Sequence, residues 1–461
     1  MINGEGSGTY QEGEVVHIWS NTPANNSVFT KWISNEVAYL KRKNEWHTTL
    51  IIPQNTNIGN ISLTANFVTL STAILRSSKT FMLEGQNGAN LTSIAKESFY
   101  SIPPSPKGIV FLFHGTGGKG SNFFERFESL NIIKDLVKNN YAVFTLDSNE
   151  TTIGDQNGDE KLRWNSANTS LNNNVDLRNV SALKTAILNE FSLPEKLPVF
   201  SLGMSAGAVF SDICASVLNF NASIHITAKG RESTYESTDV SPIIWIMSEN
   251  DNNSSADNAV ALNHYNLMKQ IQTTEWLLLP KTPLHEKRFL RSLQGVSEQQ
   301  SIAIFNKLKA NNYLDSNNLI NIKDVKQIPN NFYNNLGLTI KQKVEVLEQL
   351  LYANADHILH SEYNKAIISF LDNNINILGV DNYINFKENF VSPNPASDKI
   401  TLNSLKHYNS LETFVFSMTG KLLIKSKNSN QINISSLANG LYLVKVILDG
   451  KIHQQKFIKN K

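Results

Sequence analysis

Two glycines, each separated from the same serine by one residue, constrain this chain more than any other feature. The β-type run Leu197-Pro198-Val199-Phe200-Ser201-Leu202 leads into Gly203-Met204-Ser205-Ala206-Gly207, and helix-forming residues follow from Ala208. A strand that turns at once into a helix forces its chain past itself, so the flanking positions must lack side chains. The serine then sits at the top of the turn on strained backbone. The N–H of Ala206 behind it is left free to face a developing negative charge. The five-residue pattern alone recurs by chance, and the strand before it with the helix after it make it specific.

A second element lies upstream. Lys107-Gly108-Ile109-Val110-Phe111-Leu112-Phe113 is a buried-type strand, and it ends in His114-Gly115-Thr116-Gly117-Gly118. The two elements, in this order, resemble the α/β-hydrolase family. The first loop of that family supplies a second backbone N–H to the oxyanion, here that of Thr116. The resemblance implies a doubly wound, mainly parallel sheet and a serine hydrolase needing no cofactor.

With 461 residues, two or three domains are expected, and 41% hydrophobic residues suffice for a sizeable core. A net charge of +2 gives no reason to expect a nucleic-acid partner. The single cysteine, Cys214, can form no intrachain disulfide and reads as core filler. No apolar run reaches the ~18 residues of a membrane span, and Met1-Ile2-Asn3-Gly4 does not open a signal peptide.

Three stretches differ in grammar. Residues 1–67 read as a small β-rich module, with short strands at Phe29–Trp32, Ile51–Pro53 and Leu63–Phe67 between Gly, Asn and Pro. They resemble the β-repeat of bacterial surface proteins such as internalins. Trp19, Trp32 and Trp46 are candidates for a polymer-binding platform, with core packing the better expectation.

Residues 386–461 show strands bounded by turn signals: Phe390-Val391-Ser392-Pro393-Asn394-Pro395, Phe416 to Gly420-Lys421, and Ile434 to Tyr442. This is a small sandwich of about seven strands. It closely resembles the C-terminal sorting domain of Bacteroidetes proteins exported by type IX secretion. That resemblance implies the type IX machinery as a partner and a secreted or cell-surface location. It also implies a signal peptide that the first residues do not supply.

Between them, residues 68–378 alternate helical and strand patterns, as in a parallel sheet covered on both faces. A helical stretch over 287–352 interrupts the expected order before a final amphipathic run, Tyr363–Leu371, and reads as a lid.

A serine hydroxyl needs a base, and the base needs an orienting carboxylate. The resemblance places the acid after the strand Pro242–Met247, where Asp251 stands in Ser248-Glu249-Asn250-Asp251, with Glu249 and Asp257 as alternatives. Ser248 replaces the glycine usual there. It places the histidine just before the last helix, which favours His357 over His285 and His360. Asp155-Gln156-Asn157-Gly158-Asp159 has half the oxygen pattern of a calcium loop, but Arg163 and Trp164 fall where ligands should continue, so a solvated turn is expected. The expected protein is thus a secreted serine esterase, a carboxylesterase acting on an ester that is polymer-linked, or on a polyester. A serine peptidase, a lipase and a non-catalytic adhesin on the same scaffold are the alternatives.

Overall fold

The computed structural model describes residues 4–34, 39–54, 60–71, 75–235, 240–375, 390–403, 411–417, 421–448 and 451–460. The chain divides into two compact units, Met1–Ile375 and Asn376–Lys461.

The first unit is organised by an eight-stranded sheet. Its order is Thr274–Leu279, Ile243–Ser248, Ala222–Ile226, Val199–Met204, Gly108–Phe113, Tyr141–Thr145, Asn90–Ser101, Ser77–Asn87. The first six of these pair in parallel, and the last two form an antiparallel hairpin joined antiparallel to Tyr141–Thr145. The expected doubly wound, mainly parallel sheet is therefore present. Its central strands are apolar throughout because both faces are covered. Side chains alternate between faces, so Val110 and Leu112 pack with Ile132 and Leu136 of helix Phe127–Lys138. Ile109, Phe111 and Phe113 pack with Leu177 and Leu183 of helix Val175–Glu190 and with Phe210 of helix Ala206–Val217. Cys214 lies in that second cluster, fully buried, and its thiol is pushed well up by burial.

The N-terminal strands do not stand apart as the small module expected over residues 1–67. They form two short sheets, one of Gly4–Glu5, Val15–Ser20 and His47–Ile51, the other of Ser27–Ser34 and Leu63–Thr69. Their side chains Val16, Ile18, Trp32 and Leu63 join the same hydrophobic cluster as Ile132 and Leu136. A segment this short buries too little surface by itself, and it closes its core by borrowing a helix face from the sheet. Trp19, Trp32 and Trp46 are 6%, 2% and 6% exposed, which makes them core and leaves no aromatic platform.

The helical insertion leaves the sheet after Leu279 and returns at the final helix, Asn364–Asn373. Its longest helices are Glu298–Ala310 and Ile340–Ala353, each started by a reciprocal capping box, Ser297 with Gln300 and Thr339 with Gln342. Ile304, Phe305, Leu308, Leu336 and Leu350 fill a hydrophobic cluster of its own. The two ends of the insertion meet, where the N–H of Thr282 donates to the carbonyl of Ala353 at 2.9 Å.

The second unit has seven described strands in two sheets, Val391–Ser392, Lys399–Leu402 and Gln431–Asn433 in one, Leu411–Ser417, Leu422–Lys427, Gly440–Leu448 and Lys451–Lys459 in the other. Val391, Ile400, Val415, Val444 and Phe457 meet between them as a core. The turn expected at Met418–Gly420 and the boundary expected between 378 and 386 lie outside the described residues.

Candidate active site

Ser205 stands between the strand Val199–Met204 and the helix Ala206–Val217, at φ 55° and ψ −122°. A non-glycine residue held there stores on the order of 1–3 kcal/mol of strain, which the surrounding packing must hold. The reason both glycines are needed is steric. A Cβ on Gly203 would sit 2.1 Å from the carbonyl of Gly207, and one on Gly207 would sit 2.1 Å from the carbonyl oxygen of Phe113. The N–H of Ser205 donates to the carbonyl of Ile226 at 3.0 Å, which pins the turn to the neighbouring strand.

The loop after Gly108–Phe113 passes directly over this turn. A Cβ on Gly115 would lie 3.4 Å from the Cβ of Ser205. His114 fixes the loop. Its Nε2 accepts from the N–H of Ser148 at 3.2 Å, so Nδ1 carries the proton and donates to the carbonyl of Gly115 at 2.8 Å. Burial lowers the pKa of this ring, keeping it neutral. Trp164 Nε1 donates to the carbonyl of His114 at 2.9 Å, and Gly117 and Gly118 donate to Leu162 and Gly115. The neighbouring N–H groups of Thr116 and Ala206 donate to no acceptor among the described residues.

Asp251 follows the strand Ile243–Ser248, and its carboxylate is fully buried. Its Oδ2 lies 2.6 Å from Nδ1 of His357, and its Oδ1 accepts from the N–H of Asn253 at 2.9 Å. The two loops are stitched by the N–H of Asn250, which donates to the carbonyl of Ala355 at 2.9 Å. Nε2 of His357 is buried and has no hydrogen-bond partner among the described residues. Asp251 and His357 are thus brought together. Among the described contacts, no hydrogen bond joins His357 to Ser205, and such bonds commonly tighten only when substrate is bound. The other carboxylates have structural partners. Asp257 accepts from the N–H groups of Ala259 and Val260 as a helix cap, and Glu249 accepts from the N–H of Lys281.

The other two histidines lie elsewhere. His285 packs against Trp19 with ring centroids 4.7 Å apart and the rings tilted, and burial with nearby cations holds its pKa well below the ordinary value. His360 is 1% exposed, stacks on Tyr352, and is lowered to about 4 by burial.

Beside them is a buried ionic network without a counterpart in the sequence reading. Glu362 accepts from His47 Nδ1 at 2.7 Å, from Tyr352 at 2.6 Å and from Arg42. Burial would raise its carboxyl, but the charges of His47 and Arg42 hold it well below the carboxylate range. Glu128 of helix Phe127–Lys138 accepts from Arg291 Nε and Nη2 at 2.9 and 2.8 Å and from Gln349 at 2.8 Å. It also accepts from the N–H of Ser361, and against the cost of burial the Arg291 guanidinium holds it at about 2. Both networks grip the segment immediately after His357.

A cleft of about 130 Å³ opens beside the serine turn, lined by Gly115, Phe123, Met204, Ile358 and Leu359, with Arg126 and Glu348 at its rim. Burial raises the Glu348 carboxyl to about 7, although it pairs with Arg126. The Asp155 to Asp159 loop is a turn. Asp155 accepts from the N–H groups of Asn157, Gly158 and Glu160, and Asp159 from the N–H of Lys161 and from Arg163. Among the described residues no cluster of His, Cys, Asp and Glu could hold a metal ion, and no helix is long and apolar enough to cross a membrane.

Residues 391–460 match the secretion system C-terminal sorting domain. This tail marks the chain for export by the type IX route, to the cell surface or the medium. Solved structures similar to the chain include a carboxyl esterase from Bacillus coagulans, at 14% identity and TM-score 0.34 over 50% of this chain and 98% of that one. A dienelactone hydrolase from Anabaena variabilis matches at 15% identity and TM-score 0.32, over 44% of this chain and 87% of that one. An S-formylglutathione hydrolase from Agrobacterium tumefaciens matches at 11% identity and TM-score 0.34, over 46% and 89%. No curated protein matches the chain in sequence. The internalin-type resemblance of the N-terminal segment finds no counterpart among these comparisons.

Proposed function

We propose that this chain is an exported serine hydrolase that cleaves carboxylic esters, with Ser205 as nucleophile, His357 as base and Asp251 as its orienting carboxylate. The observation that carries the reading is the buried Asp251–His357 pair at 2.6 Å, whose far nitrogen, Nε2, is left without a partner. A neutral imidazole with Nδ1 donating to a carboxylate has its lone pair on Nε2, ready to take a proton.

In this mechanism Ser205 Oγ attacks the ester carbonyl carbon as its proton passes to His357 Nε2. The carbonyl electron pair moves to oxygen, which the N–H groups of Thr116 and Ala206 receive. Collapse of the tetrahedral species breaks the bond to the alkoxy oxygen, which leaves as an alcohol with the proton from His357. Water then attacks the acyl-enzyme with His357 again as base, releasing the acid and restoring Ser205. The strained φ at Ser205 holds the hydroxyl in attacking position without reorganisation at the moment of reaction.

Export by the sorting tail supports an extracellular substrate, and an ester linked to a polymer, polyester included, fits that setting. The decisive experiment is turnover of short acyl esters by the full chain and by Ser205→Ala. Loss of the nucleophile should lower turnover by several orders of magnitude, up to about 10⁶. A Ser205→Ala protein that keeps more than a few per cent of the rate removes the assignment.

A further inference from the structure

The cleft beside Ser205 does not end at its rim. A second cavity of about 330 Å³ lies beyond it, bounded by Arg76, Phe124, Leu293, Ile340, Lys341 and Val344. Asn122 and Arg126 line both cavities. On the lid side the wall is one helix, Ile340–Ala353, with Glu348 in the inner cavity and Glu345, Val344 and Ile340 in the outer. From Glu348 back to Ile340 that helix runs about 12 Å, at ~1.5 Å per residue.

The polar groups of this groove are only partly engaged with one another. Its carboxylates have partners: Glu125 pairs with Arg76 at 3.3 Å, Glu348 with Arg126, and Glu345 accepts from Ser292 and from the N–H groups of Leu293 and Gln294. Its donors are only partly used, as are the carboxylates of Glu125 and Glu348, each engaged through Oε1. A guanidinium carries five N–H bonds, and Arg76 and Arg126 each use Nη2 or Nη1 alone on a carboxylate. Lys119 lines the inner cavity and Lys341 the outer, and no ion pair among the described residues engages either ammonium. The apolar part is equally uncommitted, since Ile340 is 81% exposed and Val344 38%.

Unused guanidinium and ammonium donors beside uncovered apolar side chains suit an apolar chain that carries oxygen acceptors at intervals. We infer that the outer cavity is a second substrate subsite, which receives the next oxygen-bearing unit of an extended, oligomeric ester whose scissile bond lies at Ser205. The inference rests on the serine-hydrolase reading and adds to it the substrate class and the residues that select it. The acceptor is the carbonyl of a further ester or the carboxylate of a chain end, and both offer the same lone pairs.

The test uses the full chain and three substrates: a short monoester, an ester dimer with a methyl-capped end, and the same dimer ending in a free carboxylate. Val344→Trp fills the outer cavity from a half-exposed position, and Ile340→Asp is a second variant that alters it without touching the core. In both, kcat/KM for the dimers relative to the monoester should fall at least tenfold. Arg76→Gln and Lys341→Gln should lower the free-acid dimer more than the capped one if a chain end is recognised, and both dimers alike if a carbonyl is. An unchanged dimer-to-monoester ratio in folded Val344→Trp and Ile340→Asp proteins overturns the subsite. Calorimetric binding of uncleaved dimer to Ser205→Ala, expected to weaken at least fivefold on adding Val344→Trp, tests the subsite apart from turnover. Should Ser205→Ala still hydrolyse the monoester, the catalytic reading fails while this binding result stands on its own.

Discussion

Nδ1 of His47 lies 2.7 Å from Oε1 of Glu362, joining the first residue of an N-terminal strand to the loop that carries His357. The pair spans most of the first unit, and Tyr352 of the insertion closes on the same carboxylate. The N-terminal strands therefore hold the histidine loop from behind. Glu362→Gln should cost about 3–5 kcal/mol, the usual penalty for leaving Arg42 without its buried partner. Chemical denaturation measures the loss. Turnover of the folded fraction should fall with KM little changed, since the cleft wall is left in place.

The role of His357 is checked by how variants combine. His357→Ala should match Ser205→Ala in severity, and the double variant should be little worse, because such groups act as a unit. His285→Ala and His360→Ala should leave the rate per folded molecule within about tenfold, since both sit in packing, against Trp19 and Tyr352. A collapse on replacing His285, with His357→Ala active, would move the base.

Acid should destabilise the protein in a window set by its buried histidines. His360 is lowered to about 4 by burial, so between the ordinary 6.5 and 4 the unfolded chain binds a proton that the native state refuses. Stability is then full above 6.5 and falls as pH drops through that window, by about 3 kcal/mol from this ring at ~1.36 kcal/mol per unit. Glu128, depressed to about 2, acts in the same direction from its ordinary 4.5 downward. Denaturant midpoints at pH 7 and pH 4.5 should differ accordingly. His360→Phe should flatten the upper part of that slope.

Removing residues 376–461 should leave turnover of soluble esters within about twofold, because each unit closes its own core. In the native host the shortened chain should no longer be exported. A soluble truncated protein without activity would show that catalysis depends on the tail.

What could be read from the sequence was what local sterics dictate. Gly203 and Gly207 announce the serine turn because no other residue fits against the carbonyls of Gly207 and Phe113. The alternation of strands and helices gave the sheet, and the α/β-hydrolase resemblance favoured, over His285 and His360, the histidine whose Nδ1 lies 2.6 Å from Asp251. The hairpin Ser77–Asn87 with Asn90–Ser101 went unread, although its two-residue Gly88-Ala89 turn, with Gly88 at φ 57°, is a standard local signal. The Glu362 and Glu128 networks leave no such trace. Their partners lie up to 320 residues away, and no spacing links Arg42 to Glu362 before the chain is folded. The shared core of the N-terminal strands was hidden for the same reason, because Val16 and Ile132 look like ordinary apolar residues until the helix face between them is known.

The bond between Thr282 and Ala353 closes the insertion into a loop with a narrow neck and a filling of its own. Its own core leaves the outer part around Glu298–Ala310 free to vary, while Arg291, Glu348 and Gln349 tie its inner face to Arg126 and Glu128 of the body. Selection can therefore act on that outer part while leaving untouched the turn on which Ser205 stands. For an engineer the same neck is a place to cut, provided that the foreign cap brings its own partners for Glu128 and Glu362.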